Sequence, residues 1–323
     1  MSNKDSGKFN IKILFQIVSI IVLAAIVLLG VYKLSYLVRD KDDVPLHKQF
    51  FELEPNSVST FFVGNSHSFC SINTDLLYEE YGIDSFMMST SGQTIAMDYY
   101  AIEELIKYQN PKIVYLETGY VPHEWNTISN EMSHKFFDGM PMGRLKKKAV
   151  EDLIEDPDDR VYFYFTLGQY HSRFNSLSEA DYKPHMTSVR GRYFSDKISY
   201  MWPIEELVDR TDKEEMPDNT KEYMDKIVEL CKANNIELIL YTAPFNGMYE
   251  GDEDQLRIQK EYQRVFNGLY DYAIENNLEY HNMFWELEEI GFDYDKDFMD
   301  SQHMNTFGQD RFTRYMVEKG YIR

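Results

Sequence analysis

Cysteine is almost missing from this 323-residue chain, with Cys70 and Cys231 the only two. One pair cannot build a disulfide framework, and two thiols cannot make a cysteine-based zinc site. Histidine is scarce as well. The eight residues are scattered, none is paired as H-x-x-x-H, and the acidic run Asp293-Tyr294-Asp295-Lys296-Asp297 lacks the glycine and terminal glutamate of a calcium loop. No metal is expected. Neither a G-x-G-x-x-G turn nor a Walker sequence is present, so no phosphate-bearing cofactor is expected either. Positive charge is also short, with 33 Lys and Arg against 54 Asp and Glu and a net charge of −21. An acidic surface repels phosphate backbones, and no Lys/Arg cluster stands on a candidate helix, which excludes direct nucleic-acid binding as a working hypothesis. What is present, 43% hydrophobic and 15% aromatic residues, fits a folded globular body and no disordered, collagenous or coiled-coil chain.

One segment departs from the average. Ile13 to Tyr32 carries no charge, and Gln16 and Ser19 are its only clearly polar interruptions. At 1.5 Å per residue such a helix is about 30 Å long, enough to cross a bilayer core. A signal peptide would have a shorter apolar stretch and small residues at a cleavage site, whereas bulky residues follow here. The reading is a retained single-pass anchor at 13–32, after a cytoplasmic tail at 1–12 and before a linker at 33–55. Lys4, Lys8 and Lys12 on one side match Lys33, Arg39 and Lys41 on the other. The charge count is therefore a tie, but the short tail favours tail-inside and body-outside. Residues 1–41 contain six basic and two acidic side chains, so the rest of the chain carries −25.

Past the linker, short apolar or β-branched runs alternate with amphipathic stretches. Strands are expected at 58–63, 85–89, 112–117, 236–243 and 278–283, and helices at 74–81, 95–108, 221–234 and 254–275, with a last helix at the end. Lys112 to Glu117 and Ile236 to Ala243 are apolar on both faces, the mark of buried parallel strands. The expected architecture is α/β, a three-layer α/β/α sandwich on a mostly parallel sheet spanning 56–323. Residues of about 120–215 break the rhythm with Trp125, Trp202, many Tyr and Phe, and the basic stretch Arg144 to Lys148. They read as a folded insertion after the third strand, over the crevice where open α/β sheets bind ligands.

Two clusters could do chemistry. Gly64-Asn65-Ser66-His67-Ser68 stands at the end of the first strand, where a small residue allows a sharp turn and exposes a serine. Asp300-Ser301-Gln302-His303 precedes a helix whose start fits a capping box, Thr306-x-x-Gln309. Asp300 and His303, three apart, can supply an imidazole base and its orienting carboxylate. His67 reads as a substrate ligand or as a packed histidine. Glu117 reads as a residue near the site or as a structural carboxylate. Tyr170-His171-Ser172-Arg173-Phe174 could bring His171 and Arg173 to the cleft or form a packing segment.

With these motifs in this order, the sequence resembles the SGNH/GDSL hydrolase superfamily, and within it the membrane-anchored group of the teichoic-acid D-alanylation protein DltD. The resemblance rests on the anchor, the G-N-S-H block, a second block at Ser91-Gly92-Gln93 and the D-x-x-H near the end. It implies a flavodoxin-like SGNH fold, with Ser66 as nucleophile, His303 as general base and Asp300 as orienting acid. It also implies backbone N–H groups of Ser66 and Gly92 in the oxyanion hole, with Asn65, His67 and Gln93 at the substrate. Asn65 stands where the commonest block has Asp. The third block, Gly-x-Asn-Asp, is missing, since the corresponding strand ends in Leu116-Glu117-Thr118-Gly119. Asn126 is a weak substitute for its asparagine.

The implied function is an extracytoplasmic serine esterase or O-acyltransferase working through an acyl-serine on a cell-envelope polysaccharide or teichoic acid. The implied partner is a membrane-bound O-acyltransferase. An inactive relative that binds glycopolymer or scaffolds that partner is the alternative, and an inverted topology would give a cytoplasmic-facing esterase.

Overall fold

Five strands, β1 (Thr60–Gly64), β2 (Ser85–Ser89), β3 (Ile113–Glu117), β4 (Glu237–Thr242) and β5 (Glu279–Asn282), run parallel in one sheet of order β2-β1-β3-β4-β5. The computed structural model describes residues 11–39, 49–182, 190–204, 206–244 and 253–323; Lys4, Lys8 and Lys41, which entered the charge count, lie outside them. The helices in chain order are α1 (Ile11–Val38), α2 (Ser66–Phe69), α3 (Thr74–Tyr81), α4 (Ile95–Tyr108), α5 (Asn130–Phe137), α6 (Arg144–Leu153), α7 (Arg160–Tyr164), α8 (Thr166–Tyr170), α9 (Glu179–Tyr182), α10 (Asp218–Ala233), α11 (Glu253–Asn276), α12 (Leu287–Ile290) and α13 (Thr306–Glu318).

Successive strand residues face opposite ways, and both sets are apolar, so the sheet is buried on both sides. Phe61, Val63, Val114, Leu116, Leu238 and Leu240 join a core with Ile102 of α4, Ile227 of α10 and Phe266 of α11. Their neighbours Phe62, Tyr115, Ile239 and Tyr241 join a second core with Leu77 of α3 and Phe312 and Met316 of α13. From β1 the chain moves outward to β2, then crosses back to β3 on the other side of β1. The C-terminal ends of β1 and β3 therefore flank the point where the winding reverses, the place where open α/β sheets leave a crevice.

Of the residues expected as a linker at 33–55, those at 40–48 lie outside the described residues, and the parts on either side are folded. The helix that begins in the apolar run continues to Val38, and Ser35 and Val38 are buried. Phe50 is buried too, with its ring centroid 6.4 Å from that of Phe61 and 5.8 Å from that of Phe86. For the end of α1 the reason is contact with the insertion. Ser35 Oγ lies 3.2 Å from Thr166 Oγ1, and Arg39 donates to Thr166 Oγ1 (3.1 Å) and to the Asp138 carbonyl (2.9 Å). Among the described residues, one helix, over residues 12–38, is long and apolar enough to cross a membrane.

The insertion is helical from α5 to α9 and then extended. Residues 193–201 form a strap along the loop that precedes α13: the N–H groups of Ser199 and Met201 donate to the carbonyls of Phe298 (2.9 Å) and Tyr294 (3.0 Å). Residues 206–214 return along α11, where Asn267 donates to the carbonyls of Asp209 (3.0 Å) and Asp212 (3.1 Å).

Candidate active site

At the end of β1 the chain turns abruptly. A Cβ on Gly64 would stand 2.8 Å from Glu117 Cβ, so a side chain there would force β1 and β3 apart. Asn65 caps the short helix α2, its Oδ1 accepting from the His67 N–H at 2.7 Å. Asn and Asp serve equally as such acceptors, a physical reason for either at this position. The cap occupies that oxygen, and the residue is buried, so Asn65 does not reach outward as a substrate ligand. Ser66 opens α2 and remains half-buried.

The second cluster arrives from the far end of the chain. Asp300 Oδ1 accepts from the N–H groups of Gln302 and His303, both at 2.9 Å, so the loop folds around its carboxylate. The His303 ring lies with Nδ1 2.9 Å from Asp300 Oδ1 and Nε2 2.8 Å from Ser66 Oγ. Burial by itself would raise the Asp300 carboxyl. The hydrogen bond and charge of His303 and the two backbone donors outweigh it and hold the group below the usual carboxylate range. An ionised Asp300 can only accept, so Nδ1 carries the imidazole proton. Nε2 then presents its lone pair to the Ser66 hydroxyl. Two segments 237 residues apart in sequence thus form one continuous relay.

The loop's anchor differs from the expected capping box. Asn305, one residue earlier, is the cap, its Oδ1 accepting from Phe307 (3.0 Å) and Gly308 (3.3 Å) N–H groups. Its Nδ2 donates to the carbonyls of Lys197 (3.1 Å), Lys296 (2.6 Å) and Phe298 (3.3 Å). Thr306 donates instead to the Ser195 carbonyl (3.1 Å), and Gln309 to those of Phe69 (2.7 Å) and Tyr193 (3.0 Å). Asn305 wins the cap because one buried amide satisfies both the helix end and the loop. Sequence reading passed over it, although an Asn just before a helical run is itself a cap signal.

His67 and Glu117 lie beside the relay. The His67 ring is 5.6 Å, centroid to centroid, from that of His303. Burial, then repulsion from His303 and His123, lowers its imidazole to about 3, so it is neutral at physiological pH. Glu117 is buried at the end of β3, with Oε1 accepting from the N–H groups of Gly119 (2.9 Å) and Ala243 (3.2 Å) and Oε2 without a partner among the described residues. Burial pushes it up to about 8 against those two bonds. A Cβ on Gly119 would lie 2.5 Å from His67 Nδ1 and 2.9 Å from Glu117 Oε1. Gly119 is therefore the space in which these two side chains meet. His123, with its ring tilted on Tyr120 at 4.5 Å and edge-on to Tyr262 at 4.9 Å, completes this side. Neither Gly119 nor His123 was anticipated; their place just past a central strand's C-terminal end was the available signal.

No family model and no curated protein matches this chain.

Other expected site residues have other work. Gln93 is buried, its amide accepting from Thr90 Oγ1 (2.9 Å) and donating to Asp98 (2.7 Å), which leaves little of it for substrate. Gly92 has φ +66, the left-handed turn that lets the chain enter α4. Arg173 is not a cleft cation. Its guanidinium donates to the Val38 carbonyl (2.8 Å), to that of Arg39 and to Asp181 (2.8 Å), because unsatisfied carbonyls at the end of α1 attract a cation. His171 is exposed and pairs with the Gly168 carbonyl at 2.8 Å. Asn126 is also exposed, donating to Glu155 (2.9 Å) and accepting from Asn219 (3.1 Å). The basic stretch does lie on a helix, contrary to the sequence reading. Arg144, Lys147 and Lys148 of α6 join Lys107, Glu103 and Glu151 around a groove of about 760 Å³ that no relay residue lines.

Proposed function

We propose that this chain is a membrane-anchored serine esterase or O-acyltransferase of the SGNH/GDSL kind, with a flavodoxin-like three-layer α/β/α body facing the extracytoplasmic side. The observation that carries the reading is the unbroken Ser66–His303–Asp300 relay beside the reversal point of a parallel sheet. In this reading His303 Nε2 takes the Ser66 proton as Oγ attacks an ester or thioester carbonyl. Asp300 holds the tautomer and stabilises the imidazolium. The N–H groups of Ser66 and Gly92 would receive the developing oxyanion, each such donor being worth roughly 3 kcal/mol in the transition state. His303 then protonates the leaving group, and either a polymer hydroxyl or water releases the acyl group from Ser66.

A neutral His67 at this spot adds no cation to the site, and His303 Nε2, 2.8 Å from Ser66 Oγ, is placed to take its proton. The anchor and the family resemblance favour a cell-envelope polysaccharide or teichoic acid as acceptor and a membrane-bound O-acyltransferase as partner. The absent asparagine of the third block favours the other reading, an inactive relative that binds glycopolymer or scaffolds the partner.

One experiment separates the two. Purified full-length protein should hydrolyse p-nitrophenyl acetate and be labelled by a fluorophosphonate probe. Ser66→Ala should abolish both, and His303→Ala should lower turnover by roughly three orders of magnitude or more. Activity that survives Ser66→Ala, or no labelling of the native protein, would sink the catalytic reading.

A further inference from the structure

The surface beside the end of α1 is apolar where a soluble body should not be. Residues 160–170, RVYFYFTLGQY, carry a single charge at Arg160. Only Phe163 and Thr166 of α7 and α8 are buried. Val161 (52%), Tyr162 (40%) and Phe165 (48%) remain exposed, and Phe174 (45%) follows in the next turn. Short helical segments that are apolar nearly all round need a nonaqueous neighbour.

Their height along α1 identifies it. Thr166, next to Phe165, meets α1 at Ser35. Ser35 is three residues beyond Tyr32, where the apolar run ends, which is about 4.5 Å along the helix axis. A residue fixed at that height on a membrane-spanning helix lies at the headgroup layer, where Tyr and Phe are favoured. The attachment is not a slack tether. Arg39 donates to Thr166 and Asp138, and Arg173 grips the last carbonyls of α1, so the position of α8 follows that of the anchor.

We propose that the α7–α8 segment, through Val161, Tyr162, Phe165 and Phe174, is seated in the headgroup region of the bilayer that α1 spans, so that the body rests on the membrane surface. This inference rests on the membrane-spanning reading of α1 and is independent of the chemistry at Ser66.

The test uses the full chain, one copy per lipid nanodisc of phosphatidylcholine and phosphatidylglycerol. A nitroxide is attached to Phe165→Cys, to Tyr162→Cys as a second site, or to Ile274→Cys, 77% exposed on α11, as the aqueous reference. Native Cys70 and Cys231 are buried and spare the background. Positions 162 and 165 should collide several-fold less often with a water-soluble nickel chelate than position 274 and more often with oxygen dissolved in lipid. Nickel access at 162 and 165 equal to that at 274 would overturn the proposal. So would protection that appears only when a disc holds two copies, because the face would then be covered by a second chain.

Discussion

Serine acquires nucleophilic character only when a base sits within hydrogen-bond reach and is itself held in one tautomer. Here Asp300 performs the holding, through two contacts to Nδ1 at 2.9 and 3.1 Å. Asp300→Asn should keep the geometry and lose on the order of 10³ to 10⁴ in kcat for an activated ester, since an amide can stabilise the wrong tautomer; a steady-state assay beside Ser66→Ala checks this. Gly119 gives a second residue-level prediction. Gly119→Ala would press a methyl against His67 Nδ1 and Glu117 Oε1. It should cost about 1–3 kcal/mol in a denaturant titration by overpacking, and lower the rate of the proposed esterase by displacing His67. A variant as stable and active as the native protein would show that the space between these side chains is not tight.

At the level of elements, the Asp300–His303 loop depends on α13 and the 193–201 strap, which Asn305 ties together. Asn305→Ala removes a helix cap and leaves three backbone carbonyls without their shared donor, a loss of about 3 kcal/mol by thermal or denaturant unfolding. Asn305→Asp keeps the cap acceptor but not the donors, so it should fall between alanine and native in stability. Equal stability of Asn305→Asp and the native chain would mean the strap contacts contribute nothing. The insertion therefore acts through its extended part, which braces the loop bearing His303, and through its helices, which grip the end of α1. Of the cations expected near the cleft, Arg173 grips the end of α1, Lys146 is buried against the Phe137 carbonyl, and Arg144, Lys147 and Lys148 line the α6 groove, away from the relay.

For the whole molecule, pH acts through the buried groups between the sheet ends. Glu117 is raised to about 8 by burial, and Asp98 is raised as well, so the folded state holds protons that the unfolded chain releases above about pH 4.5. Their contribution to stability falls as pH rises through that range. His67, lowered to about 3, works the other way, since the unfolded chain gains a proton below about pH 6.5 that the folded state refuses. The opposing slopes offset between roughly pH 4.5 and 6.5, and from about 6.5 to 8 stability should decline with pH. Glu117→Gln should flatten that decline, as read from denaturation midpoints at pH 6, 7 and 8. An unchanged slope would place the responsible group elsewhere.

Local sequence was enough for the strands, for the helices that pack on them and for a helix long and apolar enough to cross a membrane. The strands at 85–89 and 112–117 and the helices at 74–81 and 95–108 follow from local periodicity and caps, which act within a few residues. It also marked Ser66, Asp300 and His303 as chemically suited to one another. Only the tertiary structure decided what those side chains touch. Gln93, Arg173 and Asn126 have the chemistry of ligands, yet Gln93 donates to buried Asp98, Arg173 to the carbonyls at the end of α1, and Asn126 to Glu155 on the surface. The reverse holds for Asn305, Gly119 and the apolar face of α7 and α8. Their roles come from neighbours between 52 and 131 residues distant in the chain, and no local pattern encodes a contact whose two halves are brought together by the packing of the sheet.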